Sequence, residues 1–199
     1  MGKIICLMGK SSTGKNTVYR RLLEDSTLDL ETIVPYTTRP IREGERDGVE
    51  YFFTNEEGFR TLEEKGKIIE DRIYHTVHGP WRYFTADDGQ IQDVGQDYIL
   101  IATLEAYGRL QDYFGRARMI PVLLELEDGK RLRRALDREL SQQNPRYEEM
   151  CRRFLADCAD FSEERIRAAG IGRRFANDDL EECLGEIREY IISRGVKSR

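Results

Sequence analysis

Short apolar runs alternate with amphipathic segments along most of the chain. The runs predict buried strands, because most of their positions are hydrophobic; they cover Ile4 to Met8, Thr32 to Val34, Tyr98 to Thr103 and Met119 to Leu126. A last short strand is predicted over Arg173 to Ala176. The amphipathic segments predict helices after Gly14, after Thr103, over Asp128 to Glu139, over Arg146 to Phe161 and from Leu180 to Ile192. Asn177-Asp178-Asp179 supplies the cap of the last helix. Buried strands that alternate with helices predict an α/β fold with a parallel sheet covered on both sides.

One stretch, from Tyr36 to about Ala86, breaks this alternation and predicts an inserted subdomain. The chain loses its periodicity from Pro35 to Gly48, which predicts a long functional loop. After it come a strand, a helix and two further strands, predicted over Val49 to Phe53, Asn55 to Lys65, Ile68 to Tyr74 and Trp81 to Phe84. The last two strands are joined through Val77-His78-Gly79-Pro80.

Composition narrows the class of protein. The 199 residues suit one domain, and 39% hydrophobic with 35% charged residues is a globular balance. The longest apolar stretches, such as Ile120 to Leu124, are too short to cross a bilayer, and the first six residues do not resemble a signal peptide, so we expect a cytoplasmic protein without a membrane partner. A net charge of −5 disfavours a nucleic-acid partner. The four cysteines are scattered without a C-x-x-C pair, which predicts buried thiols.

The turn after the first strand carries the pattern of a phosphate-binding loop. Gly9-Lys10-Ser11-Ser12-Thr13-Gly14-Lys15 has G-x-x-x-x-G-K spacing and lies between a buried strand and a helix. Glycines let the backbone curl around an anion, the helix adds the positive end of its dipole, and a lysine ammonium can bridge two phosphates. The next position is usually Ser or Thr and here is Asn16, so the predicted Mg²⁺ ligands are the amide oxygen of Asn16 and the hydroxyl of Thr17.

The segment from Thr37 to Phe53 carries a second set of phosphate-binding groups. Arg39, Arg42 and Tyr51 offer two forked cations and a phenol, which suit a phosphomonoester dianion. A solvated loop whose glutamates balance its arginines is the alternative, and the spacing alone favours neither.

The whole segment matches the pattern T-T-R-x-x-R-x-G-E-x-x-G-x-x-Y-x-F. With the phosphate loop upstream, it resembles the guanylate kinases, a family of P-loop nucleoside monophosphate kinases that transfer a phosphate from ATP to GMP. The resemblance implies a P-loop NTPase fold, a three-layer α/β/α architecture with a parallel central sheet. It also implies one domain over residues 1–199, with a core at 1–35, 87–130 and 163–199, an NMP-binding subdomain at 36–86 and a helical lid at 131–162.

The resemblance also implies roles for individual residues. Lys15, Arg39, Arg138 and Arg153 would be catalytic, the two last as lid arginines over the transferring phosphate. ATP would contact Gly9, Ser11, Ser12, Thr13, Gly14, Lys15, Asn16, Thr17 and, near the adenine, Asn177. GMP would contact Thr38, Arg39, Arg42, Tyr51, Glu70, Tyr83, Thr85 and Glu105, with Glu70 accepting hydrogen bonds from the guanine N1–H and 2-amino group. The implied partners are ATP with Mg²⁺ and a GMP-like acceptor.

Three positions depart from the family pattern at the base end of the acceptor pocket. They are Pro35 in place of Ser, Phe84 in place of Gly, and Thr103 in place of the first Asp of a D-x-D sequence. They leave open GMP, dGMP or another phosphorylated acceptor, such as a ribose phosphate. A non-catalytic binding module is a third reading, disfavoured by the intact phosphate loop. The sequence leaves the oligomeric state open, with a homodimer among the alternatives.

Overall fold

The computed structural model describes residues 2–42, 44–76, 79–92 and 95–198. In chain order the elements are β1 (Ile4–Gly9), α1 (Lys15–Glu24), β2 (Leu30–Thr32), β3 (Tyr36–Thr37), β4 (Phe52–Phe53), α2 (Glu56–Glu64), β5 (Ile68–Thr76), β6 (Gly79–Ala86), β7 (Asp97–Ile101), α3 (Leu104–Phe114), β8 (Met119–Glu125), α4 (Asp128–Leu140), α5 (Tyr147–Asp160), α6 (Glu163–Ala168), β9 (Arg174–Ala176) and α7 (Leu180–Ser193).

Five strands form a parallel sheet in the order β2-β7-β1-β8-β9. One face packs against α1 and α7 through side chains such as Leu22 and Ile187. The other face packs against α3 and α6 through side chains such as Leu110 and Ile166. Every residue of β1 is buried, as its unbroken apolar run predicts. The prediction of an α/β fold with a parallel sheet covered on both sides is therefore confirmed.

A second sheet is built entirely from strands between residues 36 and 86. Its order is β4-β3-β6-β5, and β6 runs antiparallel to both of its neighbours. Helix α2 covers it through a small core of Phe59, Phe84 and Ala86. The predicted connection between β5 and β6 includes Val77 and His78, which lie outside the described residues. This sheet carries three of the predicted acceptor residues, Glu70, Tyr83 and Thr85, and the segment between β3 and β4 carries four more, Thr38, Arg39, Arg42 and Tyr51.

Sequence and structure differ around the acceptor loop. The strand predicted over Thr32 to Val34 lies at Leu30–Thr32. Ile33 and Val34 are buried but lie outside the strand. Their hydrophobicity indicates burial, and it does not distinguish a buried strand from a buried loop. The strand predicted from Val49 begins only at Phe52, because a turn closed by the hydrogen bond from Gly48 N to the Tyr51 oxygen (2.9 Å) precedes it. The short strand β3 lies inside the segment predicted as loop, and α6 was not predicted.

The predicted cap of the last helix is confirmed, because the Asp179 carboxylate accepts hydrogen bonds from two backbone N–H groups of the first turn of α7. The cysteine prediction is confirmed for Cys6 and Cys183 and wrong for Cys151, which is exposed on α5. Within the described ranges, we find no helix that has both the length and the apolar character needed to cross a membrane.

Candidate active site

The loop between β1 and α1 has the backbone that its glycines predict. Gly9 and Gly14 have φ values of 148° and 92°, and Ser12 also has a positive φ, of 63°. A Cβ on Gly9 would lie 2.6 Å from the Leu124 oxygen, and a Cβ on Gly14 would lie 2.3 Å from the Asn177 amide nitrogen. Both positions therefore require glycine for conformation and for space.

The side chain of Lys15 folds back across this loop. Its Nζ donates hydrogen bonds to the carbonyl oxygens of Gly9 (2.6 Å) and Lys10 (2.8 Å). The Thr13 hydroxyl donates to the same Lys10 oxygen at 2.9 Å, and the Asn177 amide donates to the Thr13 oxygen at 2.7 Å. Asn177, predicted near the adenine, is thus buried against the loop and supports its shape.

A carboxylate of the chain itself lies on the loop. The Ser11 backbone N–H donates to Asp157 Oδ2 at 2.6 Å, and Arg131 donates to the same oxygen at 3.3 Å. The charge of Asp157 also acts on Lys15. Anions bind where backbone N–H groups and cations converge, and Asp157 is such an anion. The loop is therefore an anion-binding site, engaged in this structure by a side chain of α5.

The pKa of Lys15 is lowered to about 8, mainly because the ammonium is buried; Asp157 opposes this lowering, and the positive charges of Arg153 and Arg131 contribute to it. The ammonium is thus the major form below that pH and is lost above it.

With ATP as the substrate that the resemblance implies, we expect kcat/KM to be level between about pH 7 and 8, above the second phosphate pKa of about 6, and to fall as the pH rises through about 8. The fall approaches tenfold per pH unit because the unprotonated amine carries no charge for the phosphates. Initial rates across this range, at constant ionic strength, measure the effect. In Asp157→Asn the break moves to lower pH, because the opposing negative charge is gone; a break that stays in place contradicts this assignment.

Three arginines of α4 and α5 surround the loop. Arg153 Nη2 approaches Ser11 Oγ at 3.4 Å, and Arg138 lines the same narrow crevice as Ser11 and Ser12. Arg131 was not predicted, yet its side chain is 1% exposed and its Nε donates to the Ser11 oxygen at 3.0 Å. The sequence signal for its burial is that it lies four residues before Ala135 and eight before Glu139, on the face of α4 that is buried. Both predicted lid arginines therefore lie near the loop, together with one that sequence reasoning missed.

The acceptor loop holds Arg39 in a fixed position. Its guanidinium is buried, makes a bidentate pair with Glu45 (2.7 and 2.6 Å) and lies over the Tyr51 ring at 5.1 Å. The rings of Tyr51 and Tyr83 are 5.6 Å apart. Burial raises the pKa of Tyr51, so its phenol stays protonated and can donate to a phosphate. Arg39, Tyr51 and Tyr83, three predicted acceptor residues, form one cluster.

The predicted base-binding residues lie along β5, β6 and the start of α3. Glu70 is buried and accepts a hydrogen bond from the Thr85 hydroxyl at 2.7 Å. It is also paired with Arg72, which sequence reasoning missed. Glu105 is exposed in the first turn of α3. Thr38 differs from the others because its hydroxyl accepts the Arg82 backbone N–H at 2.9 Å and thereby ties the loop to β6.

Residues of helix α5 interact with the phosphate loop and, through their charge, with the acceptor loop. Side-chain hydrogen bonds from Arg152 lower the pKa of Glu149, and the charge of Arg42 on the acceptor loop adds to this effect. One turn further along α5, Arg153 reaches Ser11 on the phosphate loop. One helix therefore carries residues that interact with the phosphate loop and a carboxylate on which the acceptor loop acts electrostatically.

The predicted metal ligands lie in the first turn of α1. Asn16 is exposed and Thr17 is half-buried, so both can face a bound nucleotide. An amide oxygen and a hydroxyl are hard donors that suit Mg²⁺, which keeps most of its other ligands from water and phosphate. No group of three or more His, Cys, Asp or Glu side chains that could hold a metal alone occurs in the described part of the chain.

Comparison with known proteins identifies one family. The family model described as "Guanylate kinase" matches residues 1–194. Among curated proteins, the guanylate kinase of Malacoplasma penetrans is 31% identical over 137 residues, which is 68% of each chain. The guanylate kinase of Symbiobacterium thermophilum is 28% identical over 99% of this chain and 88% of its own, and that of Porphyromonas gingivalis is 28% identical over 96% and 97%.

A solved structure has the same fold. The crystal structure of guanylate kinase from Anaplasma phagocytophilum superimposes with a TM-score of 0.69 over 99% of this chain and 89% of its own, at 20% identity. The three-layer architecture is thus that of the P-loop NTPases, as the sequence predicts.

Proposed function

The chain belongs to the guanylate kinase family, and we propose that it transfers the γ-phosphate of ATP to GMP or dGMP, giving ADP and the nucleoside diphosphate. The observation that carries the proposal is that α5 contacts the phosphate loop through Asp157 and Arg153, while the charge of Arg42 on the acceptor loop acts on Glu149 of the same helix. Phosphoryl transfer needs two phosphate sites brought together and closed to water, rather than acid or base chemistry.

On the donor side, the backbone of Gly9 to Gly14 would bind the β-phosphate and Lys15 would bridge the β- and γ-phosphates. Arg138 and Arg153 would stabilise the charge on the transferring group. Arg131 would stabilise the conformation of the loop through its hydrogen bond to the Ser11 oxygen. Asn16 and Thr17 would hold Mg²⁺ when ATP brings it. The metal supplies neutralisation of phosphate charge.

On the acceptor side, Arg39, Arg42, Tyr51 and Tyr83 would bind the phosphate of GMP, and Glu70 would face its base. Glu45 holds the Arg39 fork at 2.6 to 2.7 Å, so the guanidinium is preorganised before the substrate arrives. A GMP phosphate oxygen would then attack the γ-phosphorus of ATP in line with the leaving ADP oxygen.

We assign residues 36–86 to an NMP-binding subdomain and residues 131–162 to a lid, both moving against the core. In support, the second sheet uses only strands from the first range, and α4 and α5 make up most of the second. Because ATP and GMP are cytoplasmic metabolites, we expect the enzyme to act in the cytoplasm.

A panel of acceptors with ATP tests the proposal. We expect ADP formation to be fastest with GMP or dGMP among the common nucleoside monophosphates and phosphorylated riboses, measured by a coupled assay. Faster turnover of a ribose phosphate favours the second candidate function, a kinase that acts on a phosphorylated sugar. The pairing of Glu70 with Arg72 is the observation in favour of that function. No turnover with any acceptor, with nucleotide binding intact, points to a binding module.

The bond between Asp157 and the loop gives a prediction for ATP binding. The Asp157 carboxylate accepts the Ser11 N–H, which we assign to a phosphate of ATP, so ATP must displace the carboxylate when it binds. Asp157→Asn removes the competing charge, and we expect the Kd for ATP to fall by about tenfold, the worth of one charge-assisted hydrogen bond. Calorimetric titration of the wild type and the variant measures it.

Asp160→Asn is the matched control, since Asp160 lies on the same helix and pairs at 3.0 Å with Arg165 rather than with the loop. It should leave the Kd for ATP unchanged. Weaker ATP binding by Asp157→Asn means that Asp157 assists the nucleotide instead of competing with it.

A further inference from the structure

The carboxylate that we propose faces the base, that of Glu70, already accepts hydrogen bonds from other side chains of the protein. Glu70 on β5 lies opposite Thr85 on β6, and the Thr85 hydroxyl donates to Glu70 Oε1 at 2.7 Å. Arg72 lies two residues along the same strand, and therefore on the same face. Its Nε donates to Glu70 Oε2 at 2.9 Å and its Nη2 to Oε1 at 3.4 Å.

Arg72 is also held from the other side. Its Nη1 donates to Thr103 Oγ1 at 2.9 Å, and Thr103 is the N-cap of α3, where its hydroxyl accepts the Ala106 N–H. The Arg72 side chain is 13% exposed and that of Glu70 is 1% exposed. The pair is thus held between the second sheet and the carboxyl edge of the parallel sheet.

The number of acceptor positions on Glu70 limits what it can bind. An ionised carboxylate offers about four lone-pair positions. Thr85 fills one and Arg72 fills two, one on each oxygen. Guanine presents two donors on the edge in question, the N1–H and the 2-amino group, and one position remains for them.

We propose that Arg72 is a specificity-determining residue, which limits Glu70 to one base contact so that the acceptor site takes 6-oxopurine monophosphates with or without a 2-amino group. The inference rests on the proposed function. The N1–H shared by GMP and IMP fills the remaining position, whereas the 2-amino group of GMP finds no acceptor on Glu70. AMP stays excluded, because its unprotonated N1 places a lone pair against the carboxylate.

Steady-state rates with GMP and with IMP test the inference. We expect the wild type to show kcat/KM values for the two within about tenfold, because a charge-assisted hydrogen bond to the 2-amino group, worth about 10- to 100-fold, is missing. Arg72→Met frees two positions on Glu70 and should raise the GMP to IMP ratio by about tenfold or more. Arg82→Met is the matched control, since Arg82 lies on β6 of the same sheet and pairs with Asp71 of β5 and Glu56 of α2 rather than with Glu70; it should leave the ratio unchanged.

A wild type that prefers GMP to IMP by clearly more than about tenfold, the range expected of a contact to the 2-amino group, overturns the inference while leaving GMP phosphorylation intact. An unchanged ratio in a folded Arg72→Met variant also overturns it. If that variant does not fold, the Kd values of GMP and IMP for the wild type, measured by calorimetry, decide in its place: similar values support the inference and a large difference ends it. A wild type that phosphorylates neither nucleotide overturns the proposed function and this inference together.

Discussion

Replacing Lys15 by Met is expected to lower kcat by about 10³-fold with GMP as acceptor, the upper end of the loss when one group that stabilises transition-state charge is removed. The ammonium lies at the centre of the phosphate loop, where it donates to two loop carbonyls at 2.6 and 2.8 Å. We assign its charge to the group in transfer, so kcat should fall more than KM for ATP rises.

Lys10→Met is the matched control, because Lys10 lies in the same loop but its ammonium is 3.6 Å from Asp128. Its kcat should stay within about tenfold of the wild type, well short of the loss of a charge-stabilising group. Circular dichroism of both variants checks the fold. A Lys15→Met enzyme with wild-type kcat would show that the loop has no role in the chemistry.

Replacing Arg39 by Met is expected to raise KM for GMP by about 10²-fold, since two charge-assisted hydrogen bonds are lost. The guanidinium is buried beside Tyr51 and is aimed by Glu45. The KM for ATP should change little, because Arg39 belongs to the acceptor loop. Steady-state kinetics with each substrate varied in turn separates the two effects.

Arg46→Met is the control for Arg39, because Arg46 is an exposed arginine of the same loop at a position that the family pattern leaves free. It should leave both KM values near those of the wild type. If Arg39→Met instead raised the KM for ATP and spared that for GMP, the two phosphate sites would have been assigned the wrong way round.

The elements of the parallel sheet could be predicted because burial and periodicity are local signals. An unbroken apolar run such as Ile4 to Met8 indicates a buried strand because it is too short for a helix and ends at a glycine. Strand pairing is less local: Ile33 and Val34 are as apolar as a strand and buried, yet they lie beyond the end of β2. The two-residue strand β3 is specified by its partners β4 and β6, which the residues of β3 do not reveal.

The candidate site likewise contains residues that the sequence reveals and residues that it does not. Gly9, Gly14 and Lys15 are set by the backbone of one turn, so their spacing is visible in the sequence. Asp157 lies 146 residues from the Ser11 N–H that it accepts. Arg72 is held in place by Thr103, 31 residues away. Such contacts depend on how helices and sheets pack, and a single sequence carries no trace of them.

The most direct test of the account uses a bisubstrate analogue in which a phosphate chain joins adenosine to guanosine. Two phosphate sites flanking one cleft should bind both ends at once, so we expect inhibition competitive with ATP and with GMP and a Kd at least about 10²-fold below that of either substrate. An analogue that competes with ATP alone and binds no more tightly than ATP would contradict a cleft shared by Lys15 and Arg39.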